Sequence, residues 1–203
     1  MYSPSLLRVC LQGLACTLIL AGSCAAASSR PKSIHQPETT LVSTLAASGL
    51  TFTVMTYRVG RTSYVMIRTE GLKERSSPIR LPLEGRILGV ESADLNEDGF
   101  AEIYVFIQSE RQGAVGSMIA YASNMNRTLS PIVLQDIHEN SEASQGYRGY
   151  DTFRITDSRL ERSIPVYKPE DSVFSAHGGE RILRYRLVPG EDGWQLVISR
   201  IEN

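Results

Sequence analysis

Cysteine is missing from everything after Cys24; Cys10, Cys16 and Cys24 are the three that the chain has. A domain formed by the later residues has no disulfide framework, thiol nucleophile or thiolate ligand, and must hold together on its core alone. Histidine is nearly as scarce: His35, His138 and His177 lie too far apart for a metal-binding pair at helical spacing. No serine stands in a G-x-S-x-G turn. These absences remove the common nucleophilic and zinc-dependent hydrolase classes, and the chain reads as a non-enzyme. With 21 basic and 22 acidic residues, net charge −1 and no Lys/Arg cluster, nucleic acid is not an expected partner. The longest apolar run, 9–22, is too short to span a bilayer, so no stable membrane span is expected.

That run does have another use. Arg8 precedes it and the small-residue stretch SCAAASS follows, the order of a secretory signal, with Ala25 and Ala27 in a small-x-small cleavage pattern. Residues 1–27 are therefore read as a signal peptide, placing the protein in the periplasm or outside the cell. Cys24 offers a second reading, as a lipid anchor, because LAGSC resembles a lipobox; the alanine three positions before the cysteine weakens it. Cleavage after Ala27 takes away Arg8 and no acid, leaving a slightly acidic mature chain. Residues 28–40, with two prolines and no periodic apolar face, read as a flexible tether, and 41–203 as a single domain.

Within 41–203 the pattern is β almost throughout. LTFTVMTYRV and SYVMIRTE flank a short glycine-containing link, as in a hairpin. EIYVFIQ and GSMIAYAS are nearly continuous apolar runs, as expected of strands buried on both faces. DTFRIT, RLERSIPVY, ILRYRLV and WQLVISRI follow with turn residues between them. A single helical turn is expected around 138–143. The expectation is an all-β fold: an antiparallel β-sandwich of roughly eight to ten short strands with little helix.

The sharpest chemical signal is DLNEDGFAE at 94–102. Asp94, Asn96, Asp98 and Glu102 occupy positions one, three, five and nine of a loop that has Gly99 at position six. Alternate oxygen side chains around a glycine are what a Ca²⁺ loop needs, and a strand rather than a helix follows, which excludes an EF-hand. The same residues also suit a solvated turn in which Asp94 and Asn96 cap backbone amides without any ion. No cofactor is required on either reading; Ca²⁺ is the one the loop would take.

From this loop onward the order of features resembles the periplasmic inhibitors of invertebrate-type (I-type) lysozymes. The resemblance is carried by ESADLNEDGFAEIYVFI at 91–107, GSMIAYASN, LSPIVL, SQGYRGYDTF at 144–153, IPVYK, GGERILRYRLVPGEDGW at 178–194 and the closing LVISRI, collinear over nearly all of 41–203. It implies a secreted β-sandwich that blocks a lysozyme, most readily one of invertebrate type, by inserting a loop into its active-site cleft. In that family the inserting loop bears a Ser-Gly-x-Tyr motif. Here the place reads Gln112, Gly113, Ala114, Val115: Gly113 is retained and neither hydroxyl is present.

Arg111 and Gln112 could supply a charged fork and an amide donor to the carboxylate pair of a lysozyme instead; their bland reading is a solvated tip between buried strands. The lysozyme-binding loop is thus expected at Arg111, Gln112, Gly113, Ala114 and Val115. A second binding loop is expected at Tyr147, Arg148 and Tyr150, residue types common at interface hot spots, which could equally pack against the end of the sandwich. The runner-up function is a Ca²⁺-stabilised envelope β-module that recognises another protein or a glycan.

Overall fold

Every residue from Glu102 to Ile107 is buried, and the architecture is organised around that strand. The computed structural model describes residues 39–172 and 174–203; the signal, most of the tether and the cysteines lie outside them. Twelve strands follow in chain order: β1 (Thr39–Ala47), β2 (Leu50–Val59), β3 (Thr62–Glu70), β4 (Ile79–Pro82), β5 (Arg86–Ala93), β6 (Glu102–Gln108), β7 (Gly116–Asn124), β8 (Thr128–Leu134), β9 (Thr152–Thr156), β10 (Arg159–Pro165), β11 (Glu180–Pro189) and β12 (Trp194–Glu202). A 3₁₀ turn, Ile137–Glu139, and one turn of helix, α1 (Ser141–Ser144), lie between β8 and β9.

The strands form a four-stranded sheet, β1-β2-β3-β4, and an eight-stranded sheet, β5-β6-β7-β8-β12-β11-β10-β9. The fold is all-β with little helix, as expected. Its twelve strands exceed the eight to ten expected, in part because of β1, whose first two residues, Thr39 and Thr40, lie in the stretch read as tether. As an edge strand with Leu41 62% and Val42 40% exposed, it lacks the buried alternation that marks its neighbours. The ladders are antiparallel except for one: β8 and β12 pair in parallel, Trp194 opposite Ile132.

Two cores result, one on each face of β6. Ile103, Val105 and Ile107 point one way, against Leu50, Phe52 and Val54 of β2 and Val65 and Ile67 of β3. Side chains alternate across a strand, so these period-2 rows on β2 and β6 are what stacks the smaller sheet on the larger. Each such side chain, fully removed from water, contributes about 1.5–3 kcal/mol. Tyr104 and Phe106 point the other way, into a core with Ala120, Ala122, Leu160, Ile164, Leu183, Tyr185 and Leu196.

This second core requires the large sheet to curl. Phe106 of β6 and Phe153 of β9 stack with ring centroids 5.7 Å apart, although six strand spacings separate them in sheet order, about 29 Å in a flat sheet. The Glu91 carboxylate of β5 also meets the Ile155 amide of β9, bringing the two edge strands together. The large sheet is thus barrel-like, with the small sheet layered on its β5–β7 side.

Away from that layer the outer face is charged. Glu161 on β10 accepts from Arg154 of β9 and from Arg184 of β11, and Arg184 continues to Glu202 of β12 at 2.6 Å. Cross-strand ion pairs here take the place of apolar cover.

Candidate functional site

The two loops singled out in the sequence are 30 or more residues apart in the chain, yet the fold brings them together. The loop between β6 and β7 closes tightly on itself: Ser109 N donates to Val115 O and Ala114 N to Arg111 O, both at 2.9 Å. Its tip, Arg111 and Gln112, is exposed, as is Val115. The segment 146–151 lies against its flank, with Tyr150 N donating to Gly113 O at 2.6 Å. Gly149 is indispensable to this approach: its φ is +94° and a Cβ there would stand 1.8 Å from Gly113 O.

Beneath the junction lies a buried polar network. Asp151, fully buried, accepts from Gly116 N at 2.6 Å, from Arg162 Nε at 2.6 Å and from the Tyr147 hydroxyl at 3.2 Å. Arg162 also donates from Nη2 to the Tyr147 hydroxyl at 2.9 Å, and its guanidinium lies over the Tyr147 and Phe153 rings. Burial, reinforced by the Asp151 charge, pushes the Tyr147 phenol up to about 12. One carboxylate thereby ties the start of β7, the second loop and β10 into a rigid base. Arg181, also buried, donates from Nη1 to the carbonyls of Glu142, Ala143 and Gln145, fixing the end of α1 from which the second loop departs.

Of the three residues expected in the second loop, two have internal partners. Tyr147 is part of the network. Arg148 donates to Asp171 O at 2.7 Å and Lys168 O at 3.1 Å, with its guanidinium 5.2 Å from the centre of the Tyr167 ring. Tyr150 is half-buried beside Gly113. The outward face of the paired loops is therefore made chiefly by Arg111, Gln112 and Val115. Open depressions of about 650 and 520 Å³ flank this loop and share Val115 and Ser117. One is bounded by Glu84 and Gly85, the other by Met118, Leu134, His138 and Tyr147.

At the opposite end of β6 the acidic loop is drawn in upon itself. Asp94 accepts from Asp98 N at 3.0 Å and Gly99 N at 2.8 Å, Asp98 accepts from Phe100 N at 2.8 Å, and Asn96 Nδ2 donates to Asp98 at 2.9 Å. This is the self-capped arrangement. Among the described residues no three His, Cys, Asp or Glu side chains are gathered as a ready metal centre. Glu102 reaches back into the loop, Oε2 accepting from Leu95 N at 2.8 Å. Burial pushes its carboxyl up to about 8, with the Asp94 and Asp98 charges adding to the effect against the pull of the Leu95 amide and, more weakly, of the Asn96 amide.

Sequence reasoning missed Asp151 and Arg162. Their signal was present: Leu160, Arg162 and Ile164 share one face of β10, and an arginine at an inward position must find a buried anion. It also missed a chain of contacts in the loop after β10. Ser175 Oγ lies 3.3 Å from His177 Nε2, and His177 Nδ1 lies 2.7 Å from Asp171 Oδ1. The order is that of a hydrolase triad, but the imidazole is 64% exposed and Asp171 also accepts from the Lys168 and His177 amides. Those bonds hold the Asp171 carboxyl down at about 2 and close the loop. The contacts serve that closure.

No protein-family model matches the chain, and neither a curated protein nor a solved structure matches it significantly.

Proposed function

We propose that the protein binds and inhibits a lysozyme, of invertebrate type, by presenting the β6–β7 loop to the enzyme's substrate cleft. The observation that carries the reading is the junction itself. Two loops, one at the place of the family's inserting loop but keeping only its glycine, Gly113, and one within the stretch SQGYRGYDTF that resembles the family, meet at one end of the large sheet and form a single projecting edge, braced from below by Asp151 and Arg162. A loop already held in its bound shape loses little conformational entropy on insertion, which favours affinity. Arg111 at the tip offers a forked donor suited to a carboxylate pair, and Val115 an exposed apolar contact.

The test is lysis of bacterial cell walls by invertebrate-, chicken- and goose-type lysozymes, each titrated with the protein. The expected result is stoichiometric loss of activity for the invertebrate-type enzyme. No loss with any of the three would end the proposal.

A second reading is favoured by the missing hydroxyls at 112 and 115: an envelope β-module that uses the same edge to recognise another protein or a glycan. It predicts no protection of cell walls in that assay and retention of the protein on envelope glycan or protein.

A further inference from the structure

The acidic loop contains an anomaly that self-capping does not explain. Glu102 is 1% exposed, and while Oε2 accepts from Leu95, Oε1 is buried without a hydrogen-bond partner. The hydroxyl of Tyr104, on the same face of β6 two residues on, is also buried without one. A carboxylate oxygen so placed costs several kcal/mol unless something positive or donating approaches it. The side chain points into the loop that carries Asp94, Asn96 and Asp98; without an ion a proton on the Glu102 carboxyl answers the unmet demand of Oε1, and a cation held by the loop would answer it instead.

We propose that residues 94–102 bind a Ca²⁺ ion, with Asp94, Asn96, Asp98, the Phe100 carbonyl and Glu102 as ligands. Every side chain in the set is a hard oxygen donor at alternate spacing. Each carboxylate oxygen used on a backbone amide accepts one hydrogen bond and keeps a free lone pair, so the bonds that shape the loop survive ion binding. Asn96 now holds Asp98 twice, Nδ2 donating to its carboxylate and Oδ1 accepting from its amide at 3.2 Å; the first contact opens on ion binding, and Oδ1 turns its second lone pair to the ion. Glu102 then closes the site from the strand side and meets its charge where no water reaches. Flexible side chains converging on a roomy loop suit Ca²⁺ over Mg²⁺, which demands tighter octahedral geometry. The site lies at the far end of β6 from the paired loops and rests on nothing in the lysozyme reading.

The test uses the protein stripped of metal with a chelator. Ca²⁺ at roughly millimolar concentration, the range of extracellular modules, should raise the thermal midpoint by several degrees, and Mg²⁺ at the same level should not. Tb³⁺ added alone should give tyrosine-sensitised luminescence, with Tyr104 the nearby donor, displaced by Ca²⁺. Asp98→Asn, at an exposed position that leaves the core intact, should weaken Ca²⁺ binding at least tenfold, and Glu102→Gln should abolish it. Equal shifts with Mg²⁺, no Ca²⁺-dependent shift, or Tb³⁺ luminescence unchanged in both variants would each overturn the proposal.

Discussion

The two loops that bracket β6 are held by different means. The acidic loop before the strand is shaped by its own side chains, with Asp94, Asn96 and Asp98 capping amides at most five residues away. The loop after the strand also closes on itself, through two backbone bonds and the Ser109 hydroxyl, but it is held in place by a distant segment, through Gly113, Gly149 and Asp151. The first kind of closure is local and legible in a short motif. The second is tertiary: a change far along the chain can disturb it while its own sequence stays untouched.

Substitutions separate the two. The largest effect is expected from Asp151→Ala, which leaves Arg162 buried without its anion; a loss of about 3–5 kcal/mol should appear in chemical denaturation. The milder Asp151→Asn should lower the phenol ionisation of Tyr147 from about 12, read by ultraviolet titration. The sign follows from linkage. A tyrosine raised on folding contributes fully below its unfolded value of about 10, and its contribution is lost as pH rises from there to about 12.

Next is Gly149→Ala. The 1.8 Å approach to Gly113 O forces the paired loops apart, so a loss of about 3 kcal/mol together with loss of any lysozyme inhibition is expected. Its counterpart, Gly99→Ala, has a comparable φ of +84° but open space around the added methyl, and should cost about 1 kcal/mol. Equal costs at the two glycines would dissolve the contrast between local and tertiary closure. The smallest effect on stability belongs to Arg111→Ala at the exposed tip, within about 0.5 kcal/mol. The same change should weaken the proposed inhibition about tenfold, equivalent to about 1.4 kcal/mol, and unchanged potency would remove Arg111 from the proposed binding edge.

How much could be read in the sequence follows the same division. The hairpin of β2 and β3, the doubly buried β6 and the acidic loop all announce themselves within ten residues, through alternation, continuous hydrophobicity and an Asx-glycine pattern. Strand β1 does not, because an edge strand beside a polar stretch keeps too few buried positions to show a period. Within the second loop the residue types leave surface contact and internal packing equally open, and their partners are not legible. Tyr147 and Arg148 look like surface anchors until Arg162, Lys168 and Asp171 arrive from later in the chain to occupy them. The parallel pairing of β8 with β12 has no local signature at all, since it joins segments about 60 residues apart.

That pairing has a consequence for how the chain is made. The eight-stranded sheet consists of two meanders, β5 to β8 and β9 to β12, and β12, which follows the other seven strands of this sheet in the chain, is the seam between them. Until Trp194–Glu202 has emerged, β8 has no neighbour on its open side and β11 none on its own, so neither meander can finish the curl that buries Phe106 against Phe153. Joining the two meanders through a strand that follows both of them in the chain makes closure of the sheet a late folding step, one that pairs segments distant in sequence.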